Sequence, residues 1–176
     1  MENIIDISGI KVIRATETWQ KAGAYYVRIQ GMAKQHGITL RAEFDEHDEE
    51  GSGTRYIVLT DSDFPVATCR IYDCEDGCAA KGCGCGTDDV CGSTPDAEPA
   101  AMIGRVVVLP EYRGAGLGRM VVEEAERWLR EDGYKRVVVE SRDVATGFYE
   151  KMGYRITGDE VIHGCTFECL RMEKPL

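Results

Sequence analysis

The stretch that decides the fold is Val106–Gly118, which reads VVVLPEYRGAGLG. A strand-like apolar run feeds a glycine-rich loop, and a helical pattern follows. The first N–H groups of a helix have no internal partners and carry partial positive charge. Glycines at such a position let a phosphate reach those N–H groups. The stretch therefore predicts a pyrophosphate site formed by Arg113, Gly114, Ala115, Gly116, Leu117, Gly118 and Arg119.

Pro110 ends the apolar run, and because proline has no N–H it should end strand pairing just beyond Leu109. Backbone groups of Val106, Val107 and Val108 would then be free to pair with an extended, amide-bearing ligand. Two alternatives remain for the loop. One is a tight turn with close packing. The other is a dinucleotide site, which would instead follow the first strand of a βαβ unit.

The rest of the chain predicts a single domain, residues 1–176, of the α/β (α+β) class. Its central sheet should be mixed, mostly antiparallel and flanked by helices. Strands are expected at 10–14, 55–60, 65–72, 101–109, 135–140, 155–158 and 166–172, and helices at 19–35, from 117 to Gly133 and at 143–152. Residues 73–99 have almost no large apolar side chain and should be a cysteine-rich insertion between two strands.

Two motifs resemble the GCN5-related N-acetyltransferase (GNAT) superfamily. The loop from Arg113 to Gly118 matches its signature of Arg or Gln, two residues, Gly, any residue, then Gly or Ala. Phe148–Tyr154 is similar to the segment after the family's fifth strand. A looser similarity, in Arg28, 43–48 and the hairpin at 55–72, points to a small, mostly uncharacterised bacterial branch.

The resemblance implies an acyl-CoA N-acyltransferase fold with acetyl-CoA or another acyl-CoA as donor. Its pyrophosphate would lie on residues 113–118 and its pantetheine beside Val106–Val108. Arg142 stands where the family often has Asn or Gln, and we expect it to contact the cofactor through phosphate instead. Gly31-Met32 replaces a bulkier apolar pair, which implies a changed acceptor pocket.

Acyl transfer to an amine needs a proton for the departing thiolate, and the resemblance assigns that role to Tyr149. The alternative is that Tyr149 only packs against Phe148. A backbone N–H near Val108 could polarise the carbonyl. For the base we select Glu43 and Asp48 from the acidic run at 43–50, which could equally be a solvated charged loop.

The insertion concentrates thiols, and its candidate metal ligands are Cys74, Cys78, Cys83, Cys85 and Cys91. Thiolate cages for zinc usually show two close pairs of cysteines, and no Cys-x2-Cys pair occurs here. Zinc, an iron–sulfur cluster, free thiols and local disulfides therefore all remain open.

The formal net charge is −10, from 31 acidic and 21 basic residues. Such a surface repels polyphosphate, so nucleic acid is not expected as a partner, and an amine fits better. No stretch has the length of a membrane span and no signal peptide is evident, so a cytoplasmic location is expected. A homodimer is one open possibility for the assembly.

The sequence thus predicts an acetyl-CoA-dependent N-acetyltransferase that acts on a primary amine of a small molecule or a protein. Two alternatives stay open. The first is a metal- or redox-sensing regulator that binds CoA and senses through the insertion. The second is a CoA-binding domain whose activity has been lost.

Overall fold

The computed structural model describes residues 6–74, 99–163 and 167–176. The chain divides into two compact units. The first unit consists of Met1–Tyr72 and Ile103–Trp128, and the second of Asp73–Met102 and Leu129–Leu176. One strand and one long helix contribute residues to both. Whether the chain acts as the single domain that the sequence predicts stays a prediction.

The strands of the first unit follow the order β1-β2-β3-β4. Their bounds are β1 Ile10–Arg14, β2 Arg55–Asp61, β3 Phe64–Cys74 and β4 Ala100–Val108. β1 pairs antiparallel with β2, and β2 pairs antiparallel with β3 across a two-residue turn at Ser62 and Asp63. Residues 56–60 of β2 and 66–71 of β3 are all buried, so both faces of this hairpin are covered.

The helical elements of the first unit lie mainly between β1 and β2. They are α1 Thr18–Arg28, a π-helix at Ile29–Ala33, α2 Lys34–His36, α3 Leu40–Glu43 and a 3₁₀ turn at Glu46–Asp48. A second 3₁₀ turn, Pro110–Tyr112, follows β4 and leads to α4, Leu117–Glu131. The buried face of α4 begins with Leu117, Val121, Val122 and Ala125, as its spacing predicts.

The buried face of α1 differs from the apolar pattern. From the sequence, the spacing of Trp19, Ala22, Tyr26, Ile29 and Ala33 predicts one buried helical face. In the structure, Trp19 and Tyr26 are 46% and 38% exposed. The buried positions include Gln20 and Arg28, because both polar ends have partners. The Gln20 side-chain oxygen accepts from the N–H groups of Thr16 and Glu17 at 2.7 and 2.9 Å. Satisfied polar groups can be buried where unsatisfied ones cannot.

The second unit contains the first residues of β4 and all of the C-terminal elements. They are β5 Arg136–Arg142, α5 Asp143–Lys151, β6 Arg155–His163 and β7 Glu168–Pro175. The strand order is β4-β5-β7-β6, in which β4 and β5 are parallel and the other pairs antiparallel. Val137, Val138 and Val139 are fully buried.

These elements confirm the predicted fold class, a mixed and mostly antiparallel sheet with flanking helices. Most of the predicted cysteine-rich insertion, 75–98, lies outside the described residues. Among the helices that the structure describes, none is both long enough and apolar enough to cross a membrane.

Candidate acyl-donor site

The glycine-rich loop leaves β4 through the 3₁₀ turn and ends where α4 begins. Gly114 and Gly116 adopt φ of +81° and +83°, a conformation that side chains other than glycine rarely adopt. A Cβ added at either residue would meet no atom within 4 Å. The backbone conformation therefore requires glycine at both positions. Close packing, which was one of the two alternatives for the loop, does not explain them, because the space around them is open.

The loop ends at the start of α4, a helix of 15 residues. The N–H of Met120 donates to Gly116 O at 3.1 Å. By helical geometry the N–H groups before Met120 have no carbonyl to accept them within the helix. Open space around the two glycines, together with unpaired N–H groups at a helix N-terminus, is what an anion site would need.

Two arginines, Arg113 and Arg119, begin and follow the loop in sequence, and their surroundings differ. Arg113 Nε donates to Val108 O at 3.1 Å, and its Nη2 donates to Gly31 O at 3.3 Å and Gln35 Oε1 at 2.8 Å. All of these acceptors are uncharged. Arg119 instead pairs with the carboxylate of Glu123 at 2.6 Å. The positive charge of Arg113 is therefore not neutralised by these acceptors, whereas that of Arg119 is offset by Glu123.

The residues predicted to contact pantetheine, Val106–Val108, are the last three of β4. Val107 is buried and packs with Val27 and Leu109. The N–H of Leu109 donates to Val66 O at 2.9 Å, so pairing with β3 continues to this point and Pro110 then ends it. The parallel register of β4 with β5 covers Ala100–Met102 in the described part of the chain.

The first unit also brings together a buried charge cluster, which the sequence showed only in part. Arg28 is fully buried; its Nε donates to Glu43 Oε1 at 2.8 Å and its Nη2 to Asp48 Oδ2 at 3.0 Å. Arg70 on β3 donates to Asp45 Oδ1 at 2.7 Å and to Asp48 Oδ2 at 2.8 Å. Long-range pairing of this kind leaves no sequence signal, and Arg70 was missed for that reason.

Arg105, within β4, completes the cluster. Its φ is +50°, unusual for any residue but glycine. The side chain is 31% exposed and lies 3.3 Å from Glu43 Oε1 and 3.4 Å from Asp45 Oδ2. The signal for Arg105 in the sequence is a charged residue within an apolar run.

The charge cluster sets the protonation of Asp48. Burial alone would raise the pKa of Asp48, but the hydrogen bonds and charge of Arg28, and the charge of Arg70, outweigh it and lower the pKa to about 2. Asp45 has a lowered pKa, because Arg70 and Arg105 outweigh the effect of its burial. Burial raises the pKa of Tyr56, as do its hydrogen bonds with Tyr25 and Asp48.

Both predicted base residues are thus engaged in ion pairs with Arg28. A carboxylate with a pKa near 2 is a weak proton acceptor at neutral pH. The pairing also gives Glu43 and Asp48 a structural task, since it ties the segment after α2 to α1. Their assignment as catalytic bases stays a prediction.

Two other predicted site residues lie in the second unit. Tyr149, on α5, is 7% exposed and makes edge-to-face contacts with Phe148 and Tyr154, with centroids 5.0 and 5.5 Å apart. The guanidinium of Arg142 lies 3.8 Å from the ring centroid of Phe167. These contacts agree with a packing role for Tyr149 and leave its role as an acid a prediction.

The zinc prediction finds no support. Cys74 is half-buried at the end of β3, and the other proposed ligands, Cys78, Cys83, Cys85 and Cys91, lie outside the described residues. Within residues 6–74, 99–163 and 167–176, no three His, Cys, Asp or Glu side chains are grouped as a metal ion would need.

The chain is similar to a family model and to several proteins that are all described as acetyltransferases. The family model described as "Acetyltransferase (GNAT) family" matches residues 16–154. A Bacillus subtilis protein named as an acetyltransferase is 28% identical over 137 residues, which cover 78% of each chain. YjcF of Bacillus subtilis, named as an uncharacterized N-acetyltransferase, is 24% identical and covers 94% of this chain and 99% of its own.

A crystal structure from Lactobacillus plantarum, titled as an N-acetyltransferase, is similar over most of its length. It has 26% identity and a TM-score of 0.76, and the match covers 96% of this chain and 99% of that one. Escherichia coli ElaA, at 18% identity and a TM-score of 0.65, shares the fold.

Proposed function

The chain belongs to the GNAT family of acetyltransferases, and from this premise we propose that it transfers an acetyl group from acetyl-CoA to a primary amine of a small molecule or a protein. The family implies the donor. The acceptor class rests on the acidic balance of the chain, with its net charge of −10. A cationic amine is attracted by such a surface.

The observation that supports the donor site most strongly is the open, positive-φ geometry of the loop. Gly114 and Gly116 have no neighbour within 4 Å of an added Cβ, and they immediately precede α4. A bound pyrophosphate would accept from the first N–H groups of α4, with Arg113 beside it. We assign Val106, Val107 and Val108 to pantetheine, and Arg119 and Arg142 to further phosphate contacts.

The proposed reaction is a single acyl transfer with two proton transfers. The amine nitrogen attacks the thioester carbonyl carbon, the C–S bond breaks, and the thiolate leaves with a proton while the nitrogen loses one. On the family motif alone we propose Tyr149 as the proton donor. Glu43 and Asp48 are the candidate bases, and the pKa of about 2 argues against Asp48 in that role. A cytoplasmic location and a homodimer remain predictions.

The test is a calorimetric titration with CoA and acetyl-CoA. We expect micromolar binding by the unmodified chain and none by Gly116→Glu, whose carboxylate would stand in the anion site. The matched control is Gly51→Glu, because Gly51 has a φ of +85° and equally open surroundings. It introduces the same strain and the same charge outside the loop.

Binding by the unmodified chain and the Gly51 variant, with loss in the Gly116 variant, would support the donor site. Screening of amines would follow, with Tyr149→Phe as the test of the proton donor. Absence of binding by the unmodified chain would refute the proposal. The alternative of a metal-sensing regulator has no observation in its favour among the described residues.

A further inference from the structure

We propose that Gln35 is a positioning residue for the acyl donor, holding Arg113 in the orientation that meets the pyrophosphate. This inference rests on the proposed donor site and extends it to α2, an element that the family motif does not include. Gln35 lies 78 positions from Arg113 in sequence, and its side-chain oxygen accepts from Arg113 Nη2 at 2.8 Å. That is the shortest of the three hydrogen bonds of Arg113.

Arg113 depends on these hydrogen bonds for its orientation. The side chain is exposed, so packing restricts it little, and a free arginine has considerable rotamer entropy. Its acceptors come from two elements: Val108 O at the end of β4, and Gly31 O and Gln35 Oε1 on the helical segment after α1. Fixing both ends of the planar guanidinium group fixes its plane.

Gly31 allows this bridge because it has no side chain. A Cβ at this position would lie 2.5 Å from Val107 Cγ1 and 3.4 Å from Val108 O. With glycine, the π-helix approaches β4 closely enough for one guanidinium group to reach both Val108 O and Gly31 O. The replacement of a bulkier residue by Gly31 therefore has a structural consequence next to the donor loop.

The pattern of donors leaves one side of Arg113 for a ligand. Arginine carries five N–H groups, one on Nε and two on each Nη. The three bonds use Nε and Nη2. Nη1 donates to no group in the described part of the chain, so its two N–H groups remain for phosphate oxygens.

The neutrality of Gln35 matters as much as its position. An amide oxygen orients the guanidinium group without cancelling its charge, whereas a carboxylate would compete with the phosphate. Arg119 shows the contrast, since it is already paired with Glu123. We therefore expect that a glutamate at position 35 would bind Arg113 more strongly and serve the donor less well.

The experiment is a calorimetric CoA titration of Gln35→Ala, Gln35→Glu, Arg113→Ala and the double variant of Arg113→Ala with Gln35→Ala. Gln35→Ala should weaken CoA binding about fivefold, the equivalent of one ordinary hydrogen bond. Gln35→Glu should weaken it further. Gln30→Ala is the control, because Gln30 accepts from Lys34 and not from Arg113, and it should bind CoA as the unmodified chain does.

The double variant separates positioning from general destabilisation. If Gln35 acts through Arg113, then Gln35→Ala should cause no further loss once Arg113 is alanine. Melting temperatures of the free variants should be unchanged, since both side chains are exposed. Additive losses, or wild-type affinity of Gln35→Ala beside a weakened Arg113→Ala, would overturn this inference alone. Failure of the unmodified chain to bind CoA would overturn it together with the proposed function.

Discussion

Asp48 illustrates how one buried carboxylate stabilises a fold. It accepts from Arg28, from Arg70 and from the hydroxyl of Tyr56, the last at 2.7 Å. Asp48→Asn would place an amide donor against these donors and leave two buried arginines short of one negative charge. Removing one partner of a buried pair costs about 3–5 kcal/mol. We expect urea unfolding at pH 7 to show a loss of that size.

The pH dependence of this loss follows from the lowered pKa of Asp48. A carboxyl whose pKa falls to about 2 on folding stabilises the protein above its ordinary pKa of 3.8, and that contribution disappears as the pH falls towards 2. The difference in stability between the unmodified chain and Asp48→Asn should therefore shrink at pH 3. Asp63→Asn is the control, because Asp63 is 72% exposed in its pair with Lys11. A difference that stays constant down to pH 2.5 would contradict the assignment.

Gly31 offers a second test at the level of one residue. Gly31→Ala would bring a methyl group within 2.5 Å of Val107 Cγ1, and overpacking of this kind costs about 1–3 kcal/mol. In a Val107→Ala background, the further change Gly31→Ala should cost less, because the clashing methyl is gone. Gly104→Ala is the control, since its Cβ would make only ordinary contacts at 3.8 Å. Thermal unfolding of these variants, of Val107→Ala alone and of the unmodified chain measures the effect, and equal costs at positions 31 and 104 would refute it.

At the scale of elements, two glycines in the second unit should respond in opposite directions to alanine. Gly133 ends α4 with a φ of +88°, and Tyr134 N donates to Leu129 O at 3.0 Å beside it. Alanine there should cost about 1–2 kcal/mol. Gly147 lies inside α5 with open space around it, so alanine should stabilise by about 0.5–1 kcal/mol. Chemical denaturation of both variants measures the two changes in the free energy of unfolding. Changes of the same sign would contradict the prediction.

The elements also show which features the sequence could reveal. Local patterns located β1, the hairpin and α4 to within a few residues, because apolar runs, helical spacing and turn residues are local properties. The predicted buried face of α1 was wrong, because hydrogen bonds allow Gln20 and Arg28 to be buried while Trp19 is exposed. The π-helix and the contact of Gln35 with Arg113 depend on how α1 approaches β4. No pattern within either segment encodes that approach.

At the scale of the whole molecule, the donor loop is locally cationic while the chain is strongly acidic. CoA is itself an anion, so the net charge of −10 should oppose its approach. The short-range attraction of Arg113 acts only after encounter. Salt shortens the Debye length from about 30 Å at 0.01 M to about 8 Å at 0.15 M, so it screens the long-range repulsion first. We therefore expect the association rate constant of CoA, measured by stopped flow, to rise roughly threefold over that range. Uncharged pantetheine should show no change. An association rate for CoA that falls with salt would mean that the loop's own field, and not the net charge, governs the encounter.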